Sequence, residues 1–122
     1  MLQPNGGNVS IGTATPNSLL QVNGAIATAI ANKTGAYTVT ISDSVITGDA
    51  TTAAFSITLP TAVGITGRQY TFKKIDTSAN AVTIDGAGTE TIDGVATYDL
   101  STQRKYVTIV SDGANWLIVA NN

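Results

Sequence analysis

From about Gly35 onward, apolar and polar residues alternate in short runs, each closed by a cluster rich in Gly, Asn, Asp or Thr. Successive side chains of a strand point to opposite faces, so this alternation predicts strands with one buried face. The runs lie near Ala36 to Ser42, Ala54 to Leu59, Gln69 to Ile75, Ala81 to Ile84, Glu90 to Ile92, Ala96 to Leu100, Tyr106 to Ser111 and Asn115 to Ala120. Tyr37, Val39 and Ile41 are expected to share a face, as are Phe55, Ile57 and Leu59; Tyr70 with Phe72, Val82 with Ile84 and Tyr98 with Leu100 continue the pattern. Ser111-Asp112-Gly113-Ala114-Asn115 joins the last two runs, and Asp-Gly between alternating apolar segments predicts a closing β-hairpin. Only Thr47 to Ala54 could hold a helical turn, and its paired threonines disfavour one. Regularly spaced strands without helices predict an all-β fold, an antiparallel β-sandwich or barrel. A short echo, Thr83-Ile84-Asp85-Gly86 followed by Thr91-Ile92-Asp93-Gly94, is what strands reversing through Asp-Gly turns would produce without an ancestral repeat.

The first part of the chain has a different texture. Apolar residues alternate at Val9 and Ile11 and again at Leu20 and Val22, with Gly12, Pro16 and Gly24 interrupting them. Segments so short and thinly apolar cannot build a core, so they become stable only against the main domain or against copies of themselves. The expected organisation is an extended β arm over residues 1–31, with Val9, Ile11, Leu20, Val22 and Ile26 as its oligomer or attachment contacts, followed by an antiparallel β domain over residues 32–122.

A chain of 122 residues suits one core, and a domain of this size buries roughly two-thirds of its unfolded surface. Twelve Gly and 20 Thr with only 11% charged residues favour strands and turns over helices. The six Lys and Arg are scattered, the net charge is −2 and no basic stripe is present, so nucleic acid is not an expected partner. No apolar run approaches the roughly 20 residues that span a bilayer, and Met1 to Ser10 is polar, so membrane insertion is not expected either. Without Cys or His the chain lacks disulfides, thiolate chemistry, imidazole-based triads and His or Cys metal sites, and no cofactor or metal is expected. So few charges would leave a lone domain poorly soluble unless other subunits cover part of it.

Gly7-Asn8-Val9-Ser10-Ile11-Gly12-Thr13, then Pro16, Leu20, Val22, Asn23-Gly24 and Ala25-Ile26, resembles a segment recurrent in phage tail fibres and related virion proteins, of the form G-N-V-G-I-G-T, P, L-x-V-x-G. Ser10 stands where Gly is usual. In those families the segment belongs to an intertwined trimeric shaft or joins one to a following domain. The remainder also resembles a domain of phage fibre and virion surface proteins, through Ser56-Ile57-Thr58-Leu59-Pro60, Tyr70-Thr71-Phe72-Lys73-Lys74-Ile75-Asp76, Asn80-Ala81-Val82-Thr83-Ile84, Thr91-Ile92-Asp93-Gly94 and Val107 through Trp116. The resemblance implies a virion location, a homotrimer, contacts with other capsid or tail proteins, and a host-surface glycan as a further partner. It carries no catalytic motif, so a non-enzymatic structural role is expected. The chain opens almost directly at the shaft-like segment, which suits either a piece of a longer fibre or a short protein decorating a capsid or tail.

Glycoside cleavage would need two carboxylates across one cleft, and Asp85, Glu90 and Asp93 are the nearest candidates. All three fall in or beside expected turns, where carboxylates serve the local backbone or stay solvated. The same acids lack the regular spacing of a Ca²⁺ loop. A carbohydrate-binding module would need a row of exposed aromatics, and with four Tyr, two Phe and one Trp that row is hard to assemble beside a core. Trp116 is expected in the core. Tyr106 follows Gln103-Arg104-Lys105, so Arg104, Lys105, Tyr106 and Tyr98 form the candidate binding residues, a basic-aromatic tip suited to anionic sugars or another subunit. Lys73 and Lys74 are adjacent in a strand, so one of them faces the side of Tyr70 and Phe72. A bulge or strand end near Ile75 would relieve this, as would a buried lysine paired with Asp76 or Asp99 of a neighbouring subunit.

Overall fold

The alternation becomes eleven strands in the computed structural model, which describes residues 7–122. Residues 1–6 of the expected arm lie outside the described residues. In chain order the strands are β1 (Val9–Ile11), β2 (Leu20–Val22), β3 (Ile30–Lys33), β4 (Tyr37–Thr38), β5 (Val45–Gly48), β6 (Phe55–Thr58), β7 (Gln69–Lys74), β8 (Val82–Asp85), β9 (Thr97–Leu100), β10 (Tyr106–Ser111) and β11 (Trp116–Asn121). Five form a sheet in the order β11-β10-β7-β5-β3, four form a second in the order β4-β6-β8-β9, and β1 pairs with β2 in a separate ribbon.

From β3 to β8 the chain passes to the other sheet after every strand. Partners within a sheet are therefore two strands apart in sequence and run the same way: Ile30 pairs with Val45, Val45 with Thr71, Tyr37 with Ile57 and Phe55 with Val82, all in parallel register. The result is a coil of three rungs, each giving one strand to each sheet. Antiparallel pairing is confined to the closing strands, with β9 on β8, β10 on β7 and β11 on β10. The all-β expectation holds, but the sheets are mixed rather than antiparallel, because most of the turn clusters are crossings between sheets instead of hairpins.

The two sheets share one core. Ile46, Tyr70, Phe72, Val107, Ile109 and Trp116 from the larger sheet meet Ile57, Val82, Ile84 and Leu100 from the smaller, each at most 1% exposed. Burying such side chains is worth roughly 1.5–3 kcal/mol each and is the main drive for closing the sheets. Trp116 is a core residue whose ring lies 5.7 Å from that of Tyr70. Its indole N–H has no hydrogen-bond partner among the described residues, so ring area rather than hydrogen bonding holds it there. Gly48 is needed because a Cβ at that position would sit 2.8 Å from a Val82 methyl of the facing sheet.

Local departures have local causes. Tyr37 and Val39 face inward, but Ile41 is 80% exposed because the chain turns there, the Asp43 N–H donating to the Thr40 carbonyl. The expected strand at Glu90 to Ile92 shrinks to bridges from Ile92 to Val95 and to Trp116. β5 occupies the start of Thr47 to Ala54, and no helix forms among the described residues. The terminal hairpin forms as expected, with the Asp112 carboxylate accepting from the N–H groups of Ala114 and Asn115.

The two Asp-Gly echoes differ physically. Asp93 (φ 47°) and Gly94 (φ 84°) make a two-residue reversal in which Ile92 and Val95 exchange both backbone hydrogen bonds. Gly86 instead ends β8, where an added Cβ would lie 2.2 Å from the Glu90 carbonyl oxygen. Gly86→Ala is therefore expected to lower stability by about 1–3 kcal/mol, read as a lower urea midpoint at unchanged slope. Gly35→Ala, where a Cβ meets open space, is expected to shift it by less than about 0.5 kcal/mol.

Candidate functional site

The turn over residues 101–105 carries the chain from β9 in one sheet to β10 in the other, and it is sewn to the end of β7. Arg104, in the left-handed region at φ 69°, donates its N–H to the Lys74 carbonyl at 2.8 Å, and the Lys105 carbonyl accepts the Lys74 N–H at 3.0 Å. The antiparallel register of β10 on β7 sets Tyr106 opposite Lys73, whose ammonium lies 5.7 Å from the ring centroid. The Lys105 ammonium lies 5.3 Å from the ring centroid of Tyr98, and the Tyr98 hydroxyl accepts from the Asn121 amide at 3.2 Å. Asn122 accepts the Tyr106 N–H at 2.9 Å and donates to the Arg104 carbonyl at 3.4 Å.

Tyr98, Arg104, Lys105 and Tyr106 are thus gathered at one end of the domain. Beside them is an open depression of about 370 Å³ lined by Ser101, Thr102, Gln103, Lys105 and Asn122. Ser101, Thr102 and Asn122 were not singled out from the sequence, and Lys73 only for the face it takes in its strand; it joins this end through strand pairing, which the sequence pattern does not specify. Among the described residues the single ion pair is Lys74 with Asp76, so Lys73, Arg104 and Lys105 have no carboxylate partner there.

The arm residues separate into two groups. β1 and β2 pair in parallel, Val9 opposite Leu20 and Ile11 opposite Val22, which places these four side chains on one face of the ribbon. Ile11 is 59% and Leu20 64% exposed. The ribbon closes on itself through Val9 N–H to the Leu19 carbonyl, Asn23 N–H to the Ile11 carbonyl and the Asn23 amide to the Gly12 carbonyl. Ile26 lies beyond it, 70% exposed, in the stretch leading to β3. β3 starts at Ile30, so the larger sheet takes in the last two residues assigned to the arm.

Of the carboxylates considered for chemistry, Glu90 and Asp93 serve the backbone. Glu90 accepts the Thr61 hydroxyl and the Ala62 N–H, the latter at 2.8 Å, and Asp93 accepts the Ile118 N–H at 3.0 Å. Asp85 sits at the end of β8, and among the described residues no three acids come together as a metal-ligating group. β7 runs without a bulge through Lys74, which is fully buried and pairs with Asp76 of its own chain rather than a neighbour's. Asp76 also accepts the N–H groups of Ala50 at 2.7 Å and Ser78 at 2.9 Å. Burial alone would raise its pKa, but Lys74, Ser78 and the Ala50 N–H outweigh that and hold the carboxyl well below its usual range. Asp43 behaves alike: burial opposes ionisation, while the Thr40 N–H, the Tyr37 hydroxyl, the Thr40 hydroxyl and the Lys33 charge lower its pKa. In the last hairpin the Asn115 and Ala114 N–H groups lower that of Asp112.

Compared with known proteins, the chain matches no family model and no curated protein.

These lowered pKa values set a pH profile. A carboxyl with a folded-state pKa below its unfolded value adds stability that is complete above the unfolded pKa and is lost as pH falls through the folded one. With no His in the chain, stability is expected to be flat from about pH 7 to pH 5 and to fall below about pH 4, as urea midpoints would show. Asp76→Asn is expected to destabilise at pH 7 and to reduce the acid dependence. Adding Lys74→Met to it is expected to recover part of the loss, since no buried ammonium then lacks its counter-charge.

Proposed function

We propose that this chain is a non-enzymatic structural protein of a bacteriophage particle, a homotrimer that projects from the virion surface as a fibre-like component in contact with other capsid or tail proteins. The observation that carries this reading is the β1–β2 ribbon, which holds Val9, Ile11, Leu20 and Val22 on one face and has no third strand in its sheet among the described residues. A lone two-stranded ribbon is marginal in water, and exposed apolar side chains gathered on one face ask for a partner surface. Three copies meeting around an axis would bury those faces against one another. The segment that resembles the phage shaft sequence, Gly7 through Ile26, contains this same ribbon. The body adds to the case: β3 and β4, the strands that follow the arm, are both sheet edges, and unpaired edges favour coverage by another chain.

A second reading, a capsid-decorating protein that stabilises the shell, is favoured by β11. This edge strand leaves Leu117 and Val119 exposed, apolar surface that a neighbour could cover. Particle imaging separates the two readings: a three-fold bundle standing off the particle supports the fibre, and copies spread over lattice axes support decoration.

In solution the intact chain is expected at three times its 12.4 kDa monomer mass by light scattering. Ile11→Asp with Leu20→Asp is expected to give the monomer while leaving the melting of the two-sheet body unchanged. A wild-type chain that runs as a monomer at micromolar concentration would contradict the trimer.

A further inference from the structure

We infer that the depression beside the 101–105 turn binds an acidic saccharide, a sugar bearing a carboxylate, with Lys105 in its lining meeting the acid and the adjacent Arg104 adding positive charge at its rim. The argument does not depend on the trimer. Of the six Lys and Arg, Lys74 is buried with Asp76, Lys33 lies over the Tyr37 ring at 3.7 Å, and Arg68 donates to the carbonyl of Asp43 at 3.1 Å and to that of Ile41. The remaining three, Lys73, Arg104 and Lys105, gather at this one end of a chain whose net charge is −2. Cations spread for solubility would not be segregated in this way, and none of the three has a carboxylate partner among the described residues.

The lining supplies what a polyhydroxylated ligand needs besides charge. The Ser101 and Thr102 hydroxyls carry no hydrogen bond to another described residue, while Gln103 commits its amide N–H to the Ile75 carbonyl at 3.1 Å and keeps its oxygen as an acceptor. Neutral donors and acceptors of this kind read sugar hydroxyls. At about 370 Å³ the depression lies near the lower end of the usual range for ligand sites and suits about one or two sugar rings. The backbone around it is fixed by the Arg104, Lys105 and Asn122 hydrogen bonds to β7 and β10, so the polar groups converge before a ligand arrives. A sugar's hydroxyls can donate to the Gln103 oxygen, for which a bare phosphate has little to offer, and a nucleic acid would need a longer track of cations.

The test is calorimetric titration of the intact chain with trigalacturonate and with sialyllactose, against cellotriose, inorganic phosphate and an oligothymidylate. The expected result is binding of at least one carboxylated sugar that weakens as NaCl is raised. Arg104→Asn with Lys105→Gln, where Asn suits the left-handed backbone, is expected to weaken it about tenfold or more at unchanged melting temperature. No binding of either acidic sugar, equal binding of cellotriose, equal or tighter binding of phosphate or oligothymidylate, or insensitivity to salt would each overturn the inference. The salt series on the wild-type chain decides the matter even where the double variant folds poorly. Light scattering on the same samples keeps a failure of the trimer reading distinct from a failure of this one.

Discussion

The constraint on which this fold turns is the satisfaction of backbone groups where the chain crosses between sheets. A hairpin closes its own hydrogen bonds, but a crossing leaves N–H and C=O groups at the flank of the sandwich with no ladder to join. Side chains fill that gap here. Asp43 accepts the Thr40 N–H in the crossing before β5, and Asp76 accepts N–H groups from two different crossings, at Ala50 and at Ser78. Glu90 reaches the Ala62 N–H in the crossing before β7, while the Ser111 hydroxyl donates to the Ala62 carbonyl from the other side. Asp76 matters most because it binds successive rungs to each other, and it can stay ionised there because Lys74 is buried beside it. Such a pair contributes little net stability against an apolar substitute, but once present neither half can be removed alone without leaving the other stranded.

This use of carboxylates explains why acids that stand out in the sequence as candidates for chemistry have another occupation. Glu90 and Asp93 stood out as acids beside turns, and they are beside turns because crossings and reversals need acceptors. The same consideration separates what was legible from what was not. Inward faces such as Phe55-Ile57-Leu59 and Tyr70-Phe72 could be read because period two depends only on each strand's own burial. Strand direction could not, since Gly, Asn and Asp mark a crossing as readily as a hairpin. β5 was hidden because Gly48 reads as a turn residue, although it is a strand glycine that admits Val82 from the opposite sheet. Ile41 looked like a core residue until the turn at Asp43 carried it out to solvent.

The candidate ligand site divides along the same line. Tyr98, Arg104, Lys105 and Tyr106 are close in sequence and flank one turn, so their proximity follows from chain connectivity. Lys73 and Asn122 arrive through the pairing of β10 with β7 and through contacts at the end of the chain, and both require the tertiary arrangement to be known. Lys74 shows how local rules mislead at such a point. Two adjacent lysines in a strand invite a bulge, and the structure keeps the strand regular by giving the inward lysine a counter-charge two residues on.

The two sides of the coil end differently, and this asymmetry orders the proposed functions. At the far side β9 and β11 end the sheets after antiparallel returns, and the turn between β9 and β10 carries the polar depression that Lys105 lines. At the near side β3 and β4 end the sheets with no antiparallel return, directly after the apolar ribbon. β3 and β4 can each add another strand from any chain that presents one, so an isolated copy would be prone to association through them. Assembly through the ribbon would remove that hazard by placing other copies beside the open edges. It would also leave the opposite side of both sheets free, which is the side where a projecting protein can meet a soluble or surface-bound ligand.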